Sequence, residues 1–100
     1  MNRVIDVNLI SQTVTKDAMG VIVTSETKTA YVGNFASVSA QEFFRGGELG
    51  IKPEFIIKLW EKEYNGETLI EVNGKRYIIY RSYVTNEGRV ELYCQKDVGA

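Results

Sequence analysis

The sequence predicts a mainly β protein: a small closed or partly open barrel, or a two-layer sandwich, of about six antiparallel strands. Three observations favour this class. Short segments that alternate in polarity or are rich in β-branched residues recur along the chain, glycine and asparagine turns separate them, and Pro53 is the single proline. Because 100 residues suit one domain, we expect a single β domain over residues 1–100.

The first two strands are predicted to form a hairpin. Apolar and polar residues alternate over residues 5–15, which is the pattern of a half-buried strand. Residues 16–20 predict a turn, since their final glycine tolerates backbone angles that other residues avoid. The β-branched residues that follow continue to Val32 and are suited to a second strand that pairs with the first.

A long connection over residues 34–52 interrupts the β pattern and is predicted to carry one short helix of roughly two turns. Ser39 and Glu42 have the spacing of a capping box, in which each side chain satisfies a free backbone N–H of the first turn. Gly46 and Gly47 are the predicted C-terminal stops. A helix this short is unstable alone in water, so we expect the barrel or a partner to hold it.

The remaining strands are separated by clear turn signals. Residues 53–60 are apolar at both odd and even positions, which point to opposite faces of a strand. This predicts a strand that is buried on both faces or covered by an assembly. Asn73 and Gly74 form the strongest short hairpin signal in the chain. The other predicted elements are a turn at 64–67, a strand at 68–72, a strand at 75–83, a turn at 85–88 and a strand at 89–95.

The composition argues against catalysis. The chain has no histidine, which removes the usual general base and the commonest metal ligand. Its one cysteine, Cys94, lies in an alternating strand and is interpreted as a core residue. We therefore expect no enzyme activity, cofactor or metal site, and an enzyme built on an unusual carboxylate or lysine is the least favoured class. No apolar stretch of about 20 residues is present, so we expect no membrane span.

The predicted helix is the candidate contact site. Adjacent helical residues point ~100° apart, so Phe43 and Phe44 cannot both face the barrel directly. Either both rings pack locally under the connection, or one faces the barrel and the other contacts a subunit or partner. The candidate partner and oligomer contacts are Ser39, Glu42, Phe43, Phe44, Arg45, Gly46, Gly47 and Leu49.

Four tyrosines leave a second function open: Tyr77, Tyr80, Tyr83 and Tyr93. Small barrels bind single-stranded nucleic acid by stacking bases on such rings. Packing across neighbouring strands explains the tyrosines more simply. The 12 Lys and Arg residues are dispersed and balanced by 13 Asp and Glu residues, which disfavours general nucleic-acid binding. A nucleic-acid-binding barrel that uses tyrosine faces therefore remains the alternative.

Five segments resemble the head–tail joining proteins of tailed phages, which are also called head-closure, head-completion or adaptor proteins. The matching segments are residues 37–44 (SVSAQEFF), 50–54 (GIKPE), 64–67 (YNGE), 73–81 (NGKRYIIYR) and 90–93 (VELY). Each motif is short, but their order and spacing extend over nearly the whole chain.

The resemblance implies a structural role in the head–tail connector of a phage or prophage virion. It implies a small β-barrel-like subunit that forms a ring with copies of itself, commonly twelve, even where the isolated chain is monomeric. Such a ring docks beneath the portal and its adaptor, closes the DNA-filled head and offers a surface to the tail-terminator or tail-completion protein. DNA only passes through the channel, towards which the segment 34–52 can project. The protein would be made in the host bacterial cytoplasm and end in the virion.

Overall fold

The computed structural model describes residues 3–97, so the predicted domain extends beyond the described range at both ends. Within this range six antiparallel strands close into a barrel, which confirms the predicted fold class and selects the barrel over the sandwich. One short helix lies between the second and third strands. The elements are β1 (Arg3–Lys16), β2 (Ile22–Ser37), α1 (Ala40–Glu48), β3 (Pro53–Trp60), a 3₁₀ turn (Glu61–Glu63), β4 (Leu69–Val72), β5 (Lys75–Val84) and β6 (Arg89–Lys96).

The strand order around the barrel is β1-β2-β3-β6-β5-β4, and β4 closes onto β1. This differs from a simple meander, in which every strand would pair with the next one. β1 pairs with β2 along one edge and with β4 along the other, over Val7–Ile10. Because β4 is taken by β1 and β5, β3 pairs with β6 instead.

The core is a single apolar cluster inside the barrel. Alternate residues of the strands point inward, as the pleat requires. The Phe55 ring lies 4.6 Å from the Tyr77 ring and 5.1 Å from the Phe35 ring, so these aromatics fill one part of the interior together. The buried core side chains are Val7, Leu9, Phe55, Ile57, Leu59, Ile70, Val72, Ile79, Val90, Leu92 and Cys94. The interpretation of Cys94 as a core residue is confirmed.

β3 is buried on one face only, so the prediction of two faces buried within the chain is wrong, whereas cover of its outward face by an assembly stays a prediction. Phe55 and Ile57 point into the barrel, whereas Glu54 and Trp60 are exposed. The interior of a closed barrel excludes water, whereas the outward residues of every strand face water unless another element covers them. The Arg89 guanidinium lies 4.3 Å from the centre of the Trp60 ring and shields part of that outward face.

β1 and β2 are much longer than the barrel is tall. They pair residue for residue from Arg3–Phe35 to Lys16–Ile22. Only Val7–Ile10 of β1 also pairs with β4, and only Asn34–Ser37 of β2 also pairs with β3. Residues 11–30 therefore project from the barrel as a two-stranded ribbon, and all of them are exposed. The half-buried strand predicted over residues 5–15 is correct as a strand, but burial ends at Ile10.

Tight turns close the β1–β2 and β4–β5 hairpins as predicted. In the ribbon, the Asp17 carboxylate accepts hydrogen bonds from the backbone N–H groups of Met19 and Val21, each at 2.9 Å. Between β4 and β5, Asn73 and Gly74 have φ angles of 53° and 77°, the left-handed conformation that this two-residue turn requires. β2 continues to Ser37, so the connection that carries α1 is shorter than the predicted 34–52.

Candidate interaction surfaces

The start of α1 is fixed by one half of the predicted capping box. The Ser39 hydroxyl accepts a hydrogen bond from the Glu42 backbone N–H at 3.1 Å, as the spacing predicts. The Glu42 carboxylate, however, turns to the barrel. One of its oxygens accepts from the Tyr80 hydroxyl at 2.8 Å, and the other accepts from the Arg81 guanidinium at 2.6 Å. The Glu42 side chain therefore links α1 to β5, and only the Glu42 backbone N–H takes part in the cap at the start of the helix.

A β-bulge in β5 makes this link possible. The β5–β6 register shifts between Ile79 and Arg81, so Tyr80 is an extra residue on its strand. Neighbouring strand residues normally point to opposite faces, but the bulge allows Tyr80 and Arg81 both to reach Glu42 outside the barrel. The Glu42 side chain is only 11% exposed, whereas that of Arg81 is 42% exposed. The link is a charge-assisted contact on a partly shielded surface.

The contacts continue across the outer face of β6. The Arg81 guanidinium lies 4.0 Å from the centre of the Tyr93 ring, and the Tyr93 hydroxyl donates to the Glu91 carboxylate at 3.1 Å. Burial raises the pKa of the Tyr80 hydroxyl, and its hydrogen bond to the Glu42 carboxylate raises that pKa further. Burial and the Glu91 carboxylate raise the pKa of Tyr93 in the same way. Both phenols therefore remain protonated donors at neutral pH.

The end of α1 differs from the prediction. The helix continues through Gly46 and Gly47 to Glu48, so neither glycine is the stop. Gly50 takes that role with a φ angle of 76°. The Ile51 N–H donates to the Gly46 carbonyl at 2.7 Å and the Gly50 N–H donates to the Gly47 carbonyl at 3.2 Å, the two bonds of a Schellman cap. Gly46 instead serves packing, because it is the buried residue of α1 and lies against Pro53.

Both phenylalanines of α1 point away from the barrel. Phe43 is 53% exposed and Phe44 is 70% exposed, and their rings meet edge to face at 6.0 Å. The alternative in which both rings pack under the connection is wrong, and neither ring is buried against the barrel. The physical reason is that Glu42 and Gly46 occupy the side of α1 that faces the barrel. We call Phe43 and Phe44 the helix face.

The other predicted contact residues lie around this helix face. Ser39, Arg45 and Gly47 are exposed, and Leu49 is exposed at the C-terminal cap. The structure thus gathers the predicted residues on one helix but divides them. Glu42 and Gly46 attach α1 to the barrel, whereas the other predicted residues remain accessible. Their role in contacts with a partner stays a prediction.

The ribbon is a second accessible surface, which the sequence analysis missed. Its tip carries exposed apolar side chains: Val14, Met19, Val21, Ile22 and Val23. A signal was present in the sequence. Barrel strands are typically about five or six residues long, so two predicted strands of roughly twice that length cannot both lie wholly in a small barrel.

Two carboxylates fix the root of the ribbon. Glu26 accepts two hydrogen bonds from the Arg76 guanidinium, at 2.5 and 2.9 Å. Glu71 accepts from the Lys28 ammonium at 3.1 Å, and both pairs join β2 to the β4–β5 hairpin. The bonds from Arg76, with a further one from Gln12, lower the pKa of Glu26 to about 2. We call these two pairs the root clamp.

The described residues show no group of three His, Cys, Asp or Glu side chains arranged to hold a metal ion. Across residues 3–97 the only α-helix is α1, which is too short to cross a bilayer.

Comparison with known proteins gives no assignment. No protein-family model matches the chain, and no curated protein matches it either. The resemblance to phage head–tail joining proteins therefore stays a prediction from the five sequence segments.

Proposed function

We propose that this protein is a non-enzymatic structural subunit of a phage or prophage head–tail connector, which works by docking the exposed surface of α1 onto neighbouring proteins. One observation carries the docking role. α1 directs the Glu42 carboxylate towards the barrel and presents Phe43 and Phe44 to solvent. A helix held only by its own barrel normally has the opposite orientation, with apolar side chains inside.

The link to β5 makes the helix face a prepared surface. Tyr80 and Arg81 fix Glu42 from the barrel side, and Gly46 allows close approach to Pro53. These contacts set which side of α1 faces solvent, and so place the phenylalanines outward, before a partner arrives. Preorganisation of this kind lowers the entropy lost on binding, and aromatic anchors supply much of the affinity of protein interfaces.

The connector role rests on the sequence resemblance together with this surface. A ring built from one kind of subunit needs a rigid body and contacts that do not occupy the same patch on both neighbours. The barrel offers the rigid body, and α1 offers a contact patch. The proposed partners are further copies of the chain, the portal–adaptor complex above the ring and the tail-terminator or tail-completion protein below it.

The tyrosine contacts disfavour the nucleic-acid alternative. Tyr80 and Tyr93 donate to the carboxylates of Glu42 and Glu91, which would repel a phosphate backbone. Tyr77 packs against Phe55 in the core, so its ring is not free to stack on a base. We therefore do not extend the proposal to nucleic-acid binding.

Retention by connector complexes tests the proposal. The purified chain is mixed with purified phage portal–adaptor complexes, and the complexes are sedimented. We expect the wild-type chain to co-sediment. Phe44→Asp should bind at least about tenfold more weakly, a loss of roughly 1.4 kcal/mol, because a charge replaces an apolar anchor.

Gln41→Glu is the matched control, because it adds the same charge to an exposed position of α1 without removing a ring. This variant should bind like the wild-type chain, and both variants should keep the wild-type melting temperature. If the wild-type chain is never retained, the connector role is refuted. If Phe44→Asp binds as tightly as the wild-type chain, the helix face is not the contact.

A further inference from the structure

The second strand of the ribbon has a free edge. β2 pairs with β1 from Ile22 to Phe35, but β3 begins to pair with it only at Asn34. Among the described residues no strand pairs with the other edge over residues 22–32. Half of the backbone N–H and C=O groups in that segment therefore face outward. The segment contains neither proline nor a bulge, which are two of the usual devices that prevent edge-to-edge pairing.

We propose that this edge pairs antiparallel with the same edge of a second copy of the chain, in a register centred on Thr27. In such a two-fold pair, the sequence numbers of facing residues add up to 54 when Thr27 faces its own copy. Facing residues in an antiparallel pair also share a face of the sheet. The pairing would give a four-stranded sheet, β1-β2-β2-β1, across the two molecules.

The charges on the edge select this register. With Thr27 at the centre, Glu26 faces Lys28 of the second copy, and Lys28 faces its Glu26. A centre at Glu26 or at Lys28 would bring two like charges directly opposite each other, which is destabilising. Registers centred on residues farther from Thr27 place both charges opposite uncharged residues. Within the free edge, only the register centred on Thr27 pairs each charge with an opposite one.

The uncharged residues fit the same register. Val23 faces Tyr31 of the second copy, an aromatic and β-branched pair of the kind that stabilises sheets. The pairs between them are small and allow close approach: Thr24 with Ala30, and Ser25 with Thr29. At the ends, exposed Ile22 comes beside exposed Val32 of the second copy.

The root clamp strengthens the argument. Arg76 already binds Glu26, and Glu71 already binds Lys28, within one chain. The proposed register would join the clamps of two molecules into one alternating network of positive and negative charges. The clamps also hold the root of each ribbon in place before pairing, which lowers the entropy cost of association.

This pairing is separate from the proposed function, because it uses the edge of β2 and leaves the helix face free. A ladder of eleven residues from each copy is smaller than a standard interface, which buries about 1,600 Å² in total. We therefore expect a weak dimer with a dissociation constant in roughly the micromolar range. Its dissociation should increase with salt concentration, because charge pairs contribute to it.

Charge reversal with rescue is the first test, read by sedimentation equilibrium. Lys28→Glu and Glu26→Lys are each expected to weaken self-association by more than about tenfold, because each creates two like-charge pairs across the two-fold axis. A one-to-one mixture of the two variants should associate again, since every facing pair is then of opposite charge. Damage to the ribbon alone would not be rescued by mixing. A monomeric wild-type chain, or a mixture that stays monomeric, overturns the proposal.

Cross-linking then tests the register itself. Thr27→Cys places two thiols opposite each other across the axis, where facing Cβ atoms are about 4.5–5.5 Å apart. This variant should form a disulfide-linked dimer on mild oxidation much faster than the matched variant Ser25→Cys, whose thiol faces Thr29 of the second copy. The native Cys94 is fully buried and gives no background. Equal rates for the two variants would overturn the register centred on Thr27.

Discussion

Two neighbouring glycines of α1 allow the orientation of the helix to be tested with the same substitution. A Cβ atom at Gly46 would lie 2.7 Å from the Pro53 Cγ and 2.8 Å from its Cδ, which is closer than such atoms approach. A Cβ atom at Gly47 would have no neighbour within 4 Å. Gly46→Ala should therefore push α1 away from β3, whereas Gly47→Ala should leave its position unchanged.

The two substitutions are expected to change the free energy of unfolding in opposite directions. Replacing a helical glycine by alanine favours the helix by about 1 kcal/mol at either position. At Gly46 this gain is opposed by overpacking against a rigid ring, which typically costs about 1–3 kcal/mol. Gly46→Ala should therefore lower the free energy of unfolding by up to about 2 kcal/mol, and Gly47→Ala should raise it by up to about 1 kcal/mol. For a domain of this size, each 1 kcal/mol corresponds to about 4–8 °C in melting temperature.

The assay combines thermal unfolding with hydrogen exchange at the amides of α1. The loss in Gly46→Ala cannot exceed the free energy that holds α1 on the barrel, because the helix can detach while the barrel stays folded. Faster exchange in α1 is therefore the more direct sign of detachment, and it should be absent in Gly47→Ala. If both variants raise the melting temperature equally and protect α1 equally, the close packing of Gly46 on Pro53 is refuted.

Three further predictions concern the barrel and the root clamp. Burial raises the pKa of the Cys94 thiol to about 12, so a thiol reagent should label this thiol only in denaturant. Rapid labelling of the folded protein would contradict the place of Cys94 in the core. The folded-state pKa of Glu26 is lowered from 4.5 to about 2, so its bonds to Arg76 stabilise the fold above pH about 4.5 and are lost as the pH falls towards 2. The protection factors of the ribbon amides, taken relative to the intrinsic exchange rate at each pH, should fall over that range, and Arg76→Gln should weaken this dependence. Gly74→Ala should lower the urea midpoint by an amount equivalent to roughly 1–2 kcal/mol, because φ is 77° there; an unchanged midpoint would show that the turn relaxes without strain.

Local signals were sufficient to predict the fold class and several of its details. The Asn73–Gly74 turn and the Ser39 cap depend on residues close together in sequence, and both are present. The number of strands and the need to cover one apolar face of each predicted a barrel or a sandwich, and only the structure selects the barrel. The strand order required more than local signals, because the pairing of β4 with β1 joins residues about sixty positions apart.

The orientation of α1 and the extent of the ribbon could not be predicted for a related reason. The Glu42 side chain points towards the outer face of the barrel because the bulge at Tyr80 lets two β5 residues reach it. A bulge is a property of the register between two strands. No pattern within β5 alone indicates it. In the same way, alternation within residues 5–15 shows that a strand forms, but it does not show where the neighbouring strand β4 ends and burial stops.

The two accessible elements share one physical plan. At each junction with the barrel a carboxylate meets a guanidinium: Glu42 with Arg81 under α1, and Glu26 with Arg76 at the root of the ribbon. Partly exposed ion pairs contribute little to stability, but two parallel or converging hydrogen bonds to one carboxylate fix direction well. The apolar side chains are placed beyond these junctions, where the barrel cannot reach them. The charges therefore orient the projecting elements, and the apolar surfaces that they orient are left for other molecules to cover.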